Sequence, residues 1–202
     1  VSICVPRLHA VTNPDILALP DLAARAGAIA GAGAVALHAR AGPVEAKTLI
    51  ALARLLRDTG ATVLVNDRAD IVSLVGAAGV HLPAEGLPVE AARRLVGPDL
   101  LIGRSTHHPD EAQAAHEAGA DYVFLGPIWE TASHPGGRPL GLAVIAAAAP
   151  ARVIAIGGVT PERAAACRAA GAYGVAAISA VWRAADPAAA ARRMLVSFDI
   201  HD

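Results

Sequence analysis

The sequence predicts an α/β fold of the closed (β/α)8 type, a TIM barrel formed as a single domain across residues 1–202. Three observations point there. Short apolar runs rich in Val, Ile, Leu and Ala alternate with helical stretches eight times, at a period of roughly 20 to 30 residues, which is the pattern of a parallel sheet. No linker or shift in composition divides these units. The competing open, doubly wound sheet usually carries a Gly-x-Gly-x-x-Gly turn after its first strand, and none follows Thr12.

Residues 7–12 read as the first strand, and 14–33 as a loop and an Ala-rich helix ending in glycine. In the second strand, 34–40, Val35, Leu37 and Ala39 face one way and Ala36, His38 and Arg40 the other, so polar side chains collect at its C-terminal end. Residues 43–58 carry Leu49, Leu52, Leu55 and Leu56 at helical spacing, and Gly60 closes that helix. The third strand, 62–65, delivers Asn66 and Asp67. A short helix near 71–75, a fourth strand at 79–82 and a helix at 88–96 follow. Residues 100–105 make the fifth strand, and 109–119 a helix with Pro109 at its start. The sixth strand, 121–125, runs into a long polar loop, 126–139, of the kind that often forms lids or binding loops. Helix 140–149, strand 153–156, helix 161–170, strand 174–178 and helix 187–198 complete the eight units.

Composition narrows the function. The chain is 54% hydrophobic but only 3% aromatic, so the core is built from Ala, Val, Leu and Ile. A net charge of −1 gives no basic field for nucleic acid. Cys4 and Cys167 are too few for a disulfide framework and form no metal motif, which fits a reducing cytoplasm. The opening residues lack the features of a signal peptide, and no apolar stretch reaches membrane-spanning length. The expectation is a cytoplasmic protein with a small-molecule ligand, no nucleic acid and no membrane, and with a homo-oligomer left open.

In a barrel of this kind chemistry belongs to the C-terminal strand ends. Two glycines, Gly157 and Gly158, stand where the seventh strand hands over to a helix; at the neighbouring turn Ile178 precedes Ser179. Backbone N–H groups there, with the Ser179 hydroxyl, are candidates for holding one phosphate between the two strand ends. Ser105, Thr131 and Ser133 are candidate substrate contacts; Ser105 and Thr131 equally suit the capping of a helix or turn. Arg40 is placed to pair a carboxylate, and Asn66 to bind substrate or to end its strand. His38, at the barrel mouth by strand parity, and His134, in the long loop, are the catalytic acid–base candidates, with a structural His38 and a solvated His134 as the alternatives. His81 reads as structural, His107 and His108 as exposed, and His9 as remote from the mouth.

With these residues in place the chain resembles the thiamin-phosphate synthase/TenI superfamily over essentially its whole length. The stretches that carry the resemblance are Val65-Asn66-Asp67-Arg68, Gly79-Val80-His81-Leu82, Ile102-Gly103-Arg104-Ser105, Gly119-Ala120-Asp121-Tyr122, Gly126-Pro127-Ile128-Trp129-Glu130-Thr131, Ile156-Gly157-Gly158-Val159-Thr160-Pro161 and Gly174-Val175-Ala176-Ala177-Ile178-Ser179. For the synthase, which joins a pyrimidine pyrophosphate to a thiazole phosphate, the resemblance implies Mg²⁺ on two acidic positions and lysines over the pyrophosphate. Asp67 matches the first acidic position, while Gly86 stands at the second with Glu85 beside it. The two lysine positions fall at Gly42 and His134. These departures remove charge that an ionising reaction needs. The TenI branch looks closer, through His38 before Arg40, Leu82-Pro83 and Trp129-Glu130-Thr131. The resemblance to that branch implies aromatisation of a carboxythiazole phosphate by proton transfer, without a cofactor; where a member of it places a catalytic histidine, this chain has Pro127. The leading expectation is therefore a thiazole tautomerase acting on a small phosphorylated thiazole. Thiamin-phosphate synthase, retaining activity through Asp67 and Glu85 with Mg²⁺ on Asp67, stands second, and a non-catalytic thiazole- or thiamin-phosphate-binding protein third.

Overall fold

The computed structural model describes residues 3–131, 136 and 138–198. Eight parallel strands close on themselves in chain order: β1 (Leu8–Val11), β2 (Val35–Ala39), β3 (Thr62–Asn66), β4 (Gly79–Leu82), β5 (Leu101–Thr106), β6 (Tyr122–Leu125), β7 (Val153–Ala155) and β8 (Gly174–Ala177). β8 returns to β1 with Leu8 opposite Val175. The helices α1 (Pro14–Leu17), α2 (Leu22–Ala30), α3 (Ala46–Arg57), α4 (Val72–Val75), α5 (Val89–Val96), α6 (Pro109–Glu117), α7 (Ala143–Ala147) and α8 (Ala164–Ala169) stand between the strands in sequence, and α9 (Ser179–Trp182) and α10 (Pro187–Val196) follow β8.

Strand alternation makes two cores. One set of side chains, including Leu37, Val65, Val80, Ile102 and Val123, packs between strands and helices. The other fills the barrel with Val11, Ala36, Leu64, Tyr122, Phe124, Ile154 and Ala176. Three histidines join the second set, because His9, His38 and His81 each lie within ring-contact distance of Phe124. Gly103 makes the room. A Cβ there would come within 2.1 Å of the Tyr122 ring.

Several helices are shorter than the sequence predicts, since Ala favours helix without marking where a helix ends. The stretch 14–33 divides at Pro20 into α1, capped by the Asn13 side chain on Ile16 N at 2.9 Å, and α2. After β7 the helix starts at Ala164 instead of 161. An additional turn of helix, α9, separates β8 from α10. No helix among the described residues is long and apolar enough to cross a membrane.

Candidate functional site

The C-terminal strand ends gather most of the candidate residues at one mouth. At β2, the Thr12 hydroxyl donates to the carbonyls of His38 and Arg40 at 2.8 Å and accepts from Arg40 N at 3.0 Å, which fixes the backbone that carries Arg40. The Arg40 side chain is exposed. His38, by contrast, is fully buried, with Nε2 at 2.8 Å from His9 Nδ1 and Nδ1 at 3.1 Å from Asn66 Oδ1. Burial pushes its pKa down to about 3, against a smaller upward pull from Asn66. Both nitrogens are occupied and the ring is uncharged near neutrality. A histidine so placed orders its neighbours and has no open nitrogen with which to exchange a proton with substrate.

His9 lies below the mouth, near the start of its strand, yet it joins this group through His38, a link the sequence reading missed. Its side chain points into the barrel, where Nε2 meets the Pro6 carbonyl at 3.0 Å and Nδ1 meets His38. The alternation that placed Ala36 and His38 inside also puts His9 and Val11 inside, so strand parity in 7–12 was the signal that could have found it. His81 is structural, as its sequence context indicated: Nδ1 lies 3.0 Å from the Tyr122 hydroxyl and Nε2 2.9 Å from Ser105 Oγ. Burial, with help from Asp121, holds the Tyr122 phenol protonated, and burial first, then His38, His9, Arg40 and Arg104, keeps His81 neutral. The two ring nitrogens of His81 thus tie β4 to Tyr122 on β6 and Ser105 on β5. Arg104 is a further supporting residue, clamping the β4–α5 loop through the carbonyls of Ala84 and Leu87 at 2.6 and 2.7 Å.

The β7 and β8 turns stand side by side, since Ala155 pairs with Val175. Among the described residues, the N–H groups of Gly157, Gly158, Ile178 and Ser179 donate no hydrogen bond to the protein. Both glycines have left-handed backbones, φ 90° and 67°, and both are crowded. A Cβ on Gly157 would lie 2.5 Å from Pro127 Cα, and one on Gly158 2.7 Å from the Glu130 carbonyl. The β6 loop is thereby pressed onto the β7 turn. It is bonded there by Ile128 N to the Ile156 carbonyl and Trp129 N to the Gly157 carbonyl, at 2.9 and 3.1 Å. Thr131 is half-buried at the end of this described stretch, while Ser133 and His134 lie outside the described residues. His107 and His108 are exposed, with His107 Nδ1 2.7 Å from the Gly126 carbonyl.

For a cation the donor set is thin. Asp67 ends β3 in a left-handed conformation, φ 68°, with its side chain exposed at the mouth. Gly86 offers no carboxylate, and a Cβ there would come within 2.7 Å of the Pro83 ring. No group of three or more His, Cys, Asp or Glu among the described residues could hold a metal ion. One carboxylate does fit a Mg²⁺ held mainly by substrate phosphate oxygens and water.

A closed (β/α)8 barrel, with hydroxyl, amide, guanidinium and N–H groups at its C-terminal mouth, defines the class of TIM barrels, which carry their sites at that end of the strands. The model of the family described as thiamine monophosphate synthase, TMP-TENI, matches residues 8–181, and the chain belongs to that family. A thiamine-phosphate synthase of Moorella thermoacetica is 46% identical over 183 residues, covering 87% of each chain. The bifunctional thiamine biosynthesis protein ThiM/ThiE of Symbiobacterium thermophilum is 48% identical over 157 residues, 76% of this chain; the match spans only 33% of that longer protein. Among solved structures, a thiamine phosphate pyrophosphorylase from Pyrococcus furiosus superposes with a TM-score of 0.78 at 28% identity, covering 95% of both chains.

Proposed function

We propose that the chain is a thiamin-phosphate synthase, joining a pyrimidine pyrophosphate to a thiazole phosphate with release of pyrophosphate. The observation that carries this reading is similarity along most of the chain to proteins so named, at 46% identity. It reverses the order in which the residues alone ranked synthase and tautomerase. In this reading the N–H groups of Gly157, Gly158, Ile178 and Ser179 and the Ser179 hydroxyl hold the thiazole phosphate. Arg40, Asn66, Ser105, Thr131 and Ser133 contact the substrates, and Asp67 would hold Mg²⁺. A bound Mg²⁺ would supply charge neutralisation at the leaving pyrophosphate. Arg40 adds a permanent cation at the same end of the barrel.

A second reading, thiazole tautomerase, is favoured by two features: Pro83 occupies the space that a side chain at Gly86 would need, and Gly42 offers no cation. With His38 enclosed, that reaction would depend on His134 or on the carboxylate of the substrate itself.

One set of assays separates the two. The purified protein is offered pyrimidine pyrophosphate, thiazole phosphate and Mg²⁺, and separately the non-aromatic carboxythiazole phosphate, with binding followed in parallel. Mg²⁺-dependent thiamin phosphate formation is the expected result. Aromatisation without it would establish the tautomerase, and binding without turnover of either would leave a binding protein.

A further inference from the structure

The buried hydrogen-bond chain Pro6–His9–His38–Asn66 can run in only one direction while both rings are neutral. Each neutral imidazole has one donor and one acceptor nitrogen. At the inner end, 3.0 Å from His9 Nε2, is a peptide carbonyl, which can only accept. His9 must therefore carry its proton on Nε2, which leaves Nδ1 as the acceptor for His38 Nε2–H, 2.8 Å away. His38 Nδ1 is then bare, so the Asn66 atom 3.1 Å from it, placed as Oδ1, has to be the donating NH2 group instead, with the two ends of the carboxamide exchanged. An amide's oxygen and nitrogen are told apart by their hydrogen-bond partners, and this chain of three bonds supplies the assignment.

We infer that His9 and His38 are positioning residues that turn the Asn66 carboxamide so that its NH2 group faces His38 and its carbonyl oxygen faces the mouth. Asn66 is half-buried at the end of β3, and no described residue bonds to the other arm of its amide. The mouth therefore presents an acceptor at this point, suited to an amino or other N–H group of a ligand and unsuited to a phosphate oxygen. The one competing arrangement is a second proton on His9 or His38, which would let every link donate outward from the rings and would reverse Asn66. It requires a cation enclosed at zero exposure with no carboxylate bonded to either ring.

The test needs no substrate, so it is independent of which reaction the mouth carries. Long-range ¹H–¹⁵N correlation spectra of the ¹⁵N-labelled full chain at neutral pH distinguish bare from protonated ring nitrogens. The expected pattern for both His9 and His38 is a bare Nδ1 and a protonated Nε2, with a coupling from the Asn66 NH2 group across to His38 Nδ1. A proton on His38 Nδ1, or two protons on either ring, overturns the assignment. His9→Phe removes the acceptor that faces His38 Nε2, so the His38 proton is expected to move to Nδ1 and Asn66 to turn over. An unchanged His38 in that variant shows that His9 does not set the direction. The wild-type spectrum decides the assignment whether or not the variant folds.

Discussion

A histidine sealed in a barrel makes the folded protein sensitive to acid. His9, His38 and His81 are all held neutral mainly by burial, and no carboxylate among the described residues bonds to any of the three rings; after burial, the groups that oppose a charge on His81 are His38, His9, Arg40 and Arg104. Their folded pKa values lie below the ordinary 6.5, and that of His38 is about 3. Stability is thus fully present above about pH 6.5 and is lost as the unfolded chain takes up protons that the folded one refuses. The slope in that window approaches about 1.4 kcal/mol per pH unit for each histidine. Urea midpoints measured from about pH 7.5 down to about pH 5 should fall steeply below about pH 6.5; a flat profile would mean the rings are not sealed. Strand parity made His38 legible as an inward residue. What it could not supply was the enclosure of the ring, because the partners His9 and Asn66 are 29 and 28 positions away and meet it only when the barrel closes.

At the level of elements, the β7 turn and the β6 loop behave as one unit, since Gly157 has no space for a side chain against Pro127. Gly157→Ala is expected to cost about 1–3 kcal/mol through overpacking. It should also weaken inorganic phosphate binding, read by calorimetry; unchanged binding would remove that turn from the phosphate site. A second test addresses α10. Asp186 caps it through Oδ1 on Ala189 N at 2.9 Å, and Asp186→Ala should destabilise the protein by about 1 kcal/mol in urea unfolding. The strands were readable because short apolar runs recur between helical stretches, and several stop at a clear signal, β3 at Asn66-Asp67, β6 at Gly126 and β7 just before Gly157. Helix ends were not. Ala-rich stretches such as 140–149 keep helical propensity past the five residues that form α7, and the capping contacts of tertiary structure decide where they stop.

For the molecule as a whole, closure joins the first and last strands at the bottom of the barrel. Val175 N donates to the Arg7 carbonyl at 2.8 Å, Arg7 Nη1 to the Tyr173 carbonyl at 2.8 Å, and the Tyr173 hydroxyl to the Val5 carbonyl at 2.9 Å. A ring of strands closed this way has no edge from which to open piecemeal, so residues 1–202 are expected to unfold as a single domain. Circular dichroism and tryptophan emission should give coincident denaturation curves, and separated midpoints would contradict the single domain. The chain has only two tryptophans, and the fold puts them in opposite settings. Trp182 is fully enclosed, whereas Trp129 is half-exposed beside Gly158, with the Arg163 guanidinium 4.9 Å from the centre of its ring. In a Trp182→Phe protein all indole emission would come from the mouth, giving the barrel a built-in optical probe whose intensity and colour follow the filling of the β7 turn without any added label.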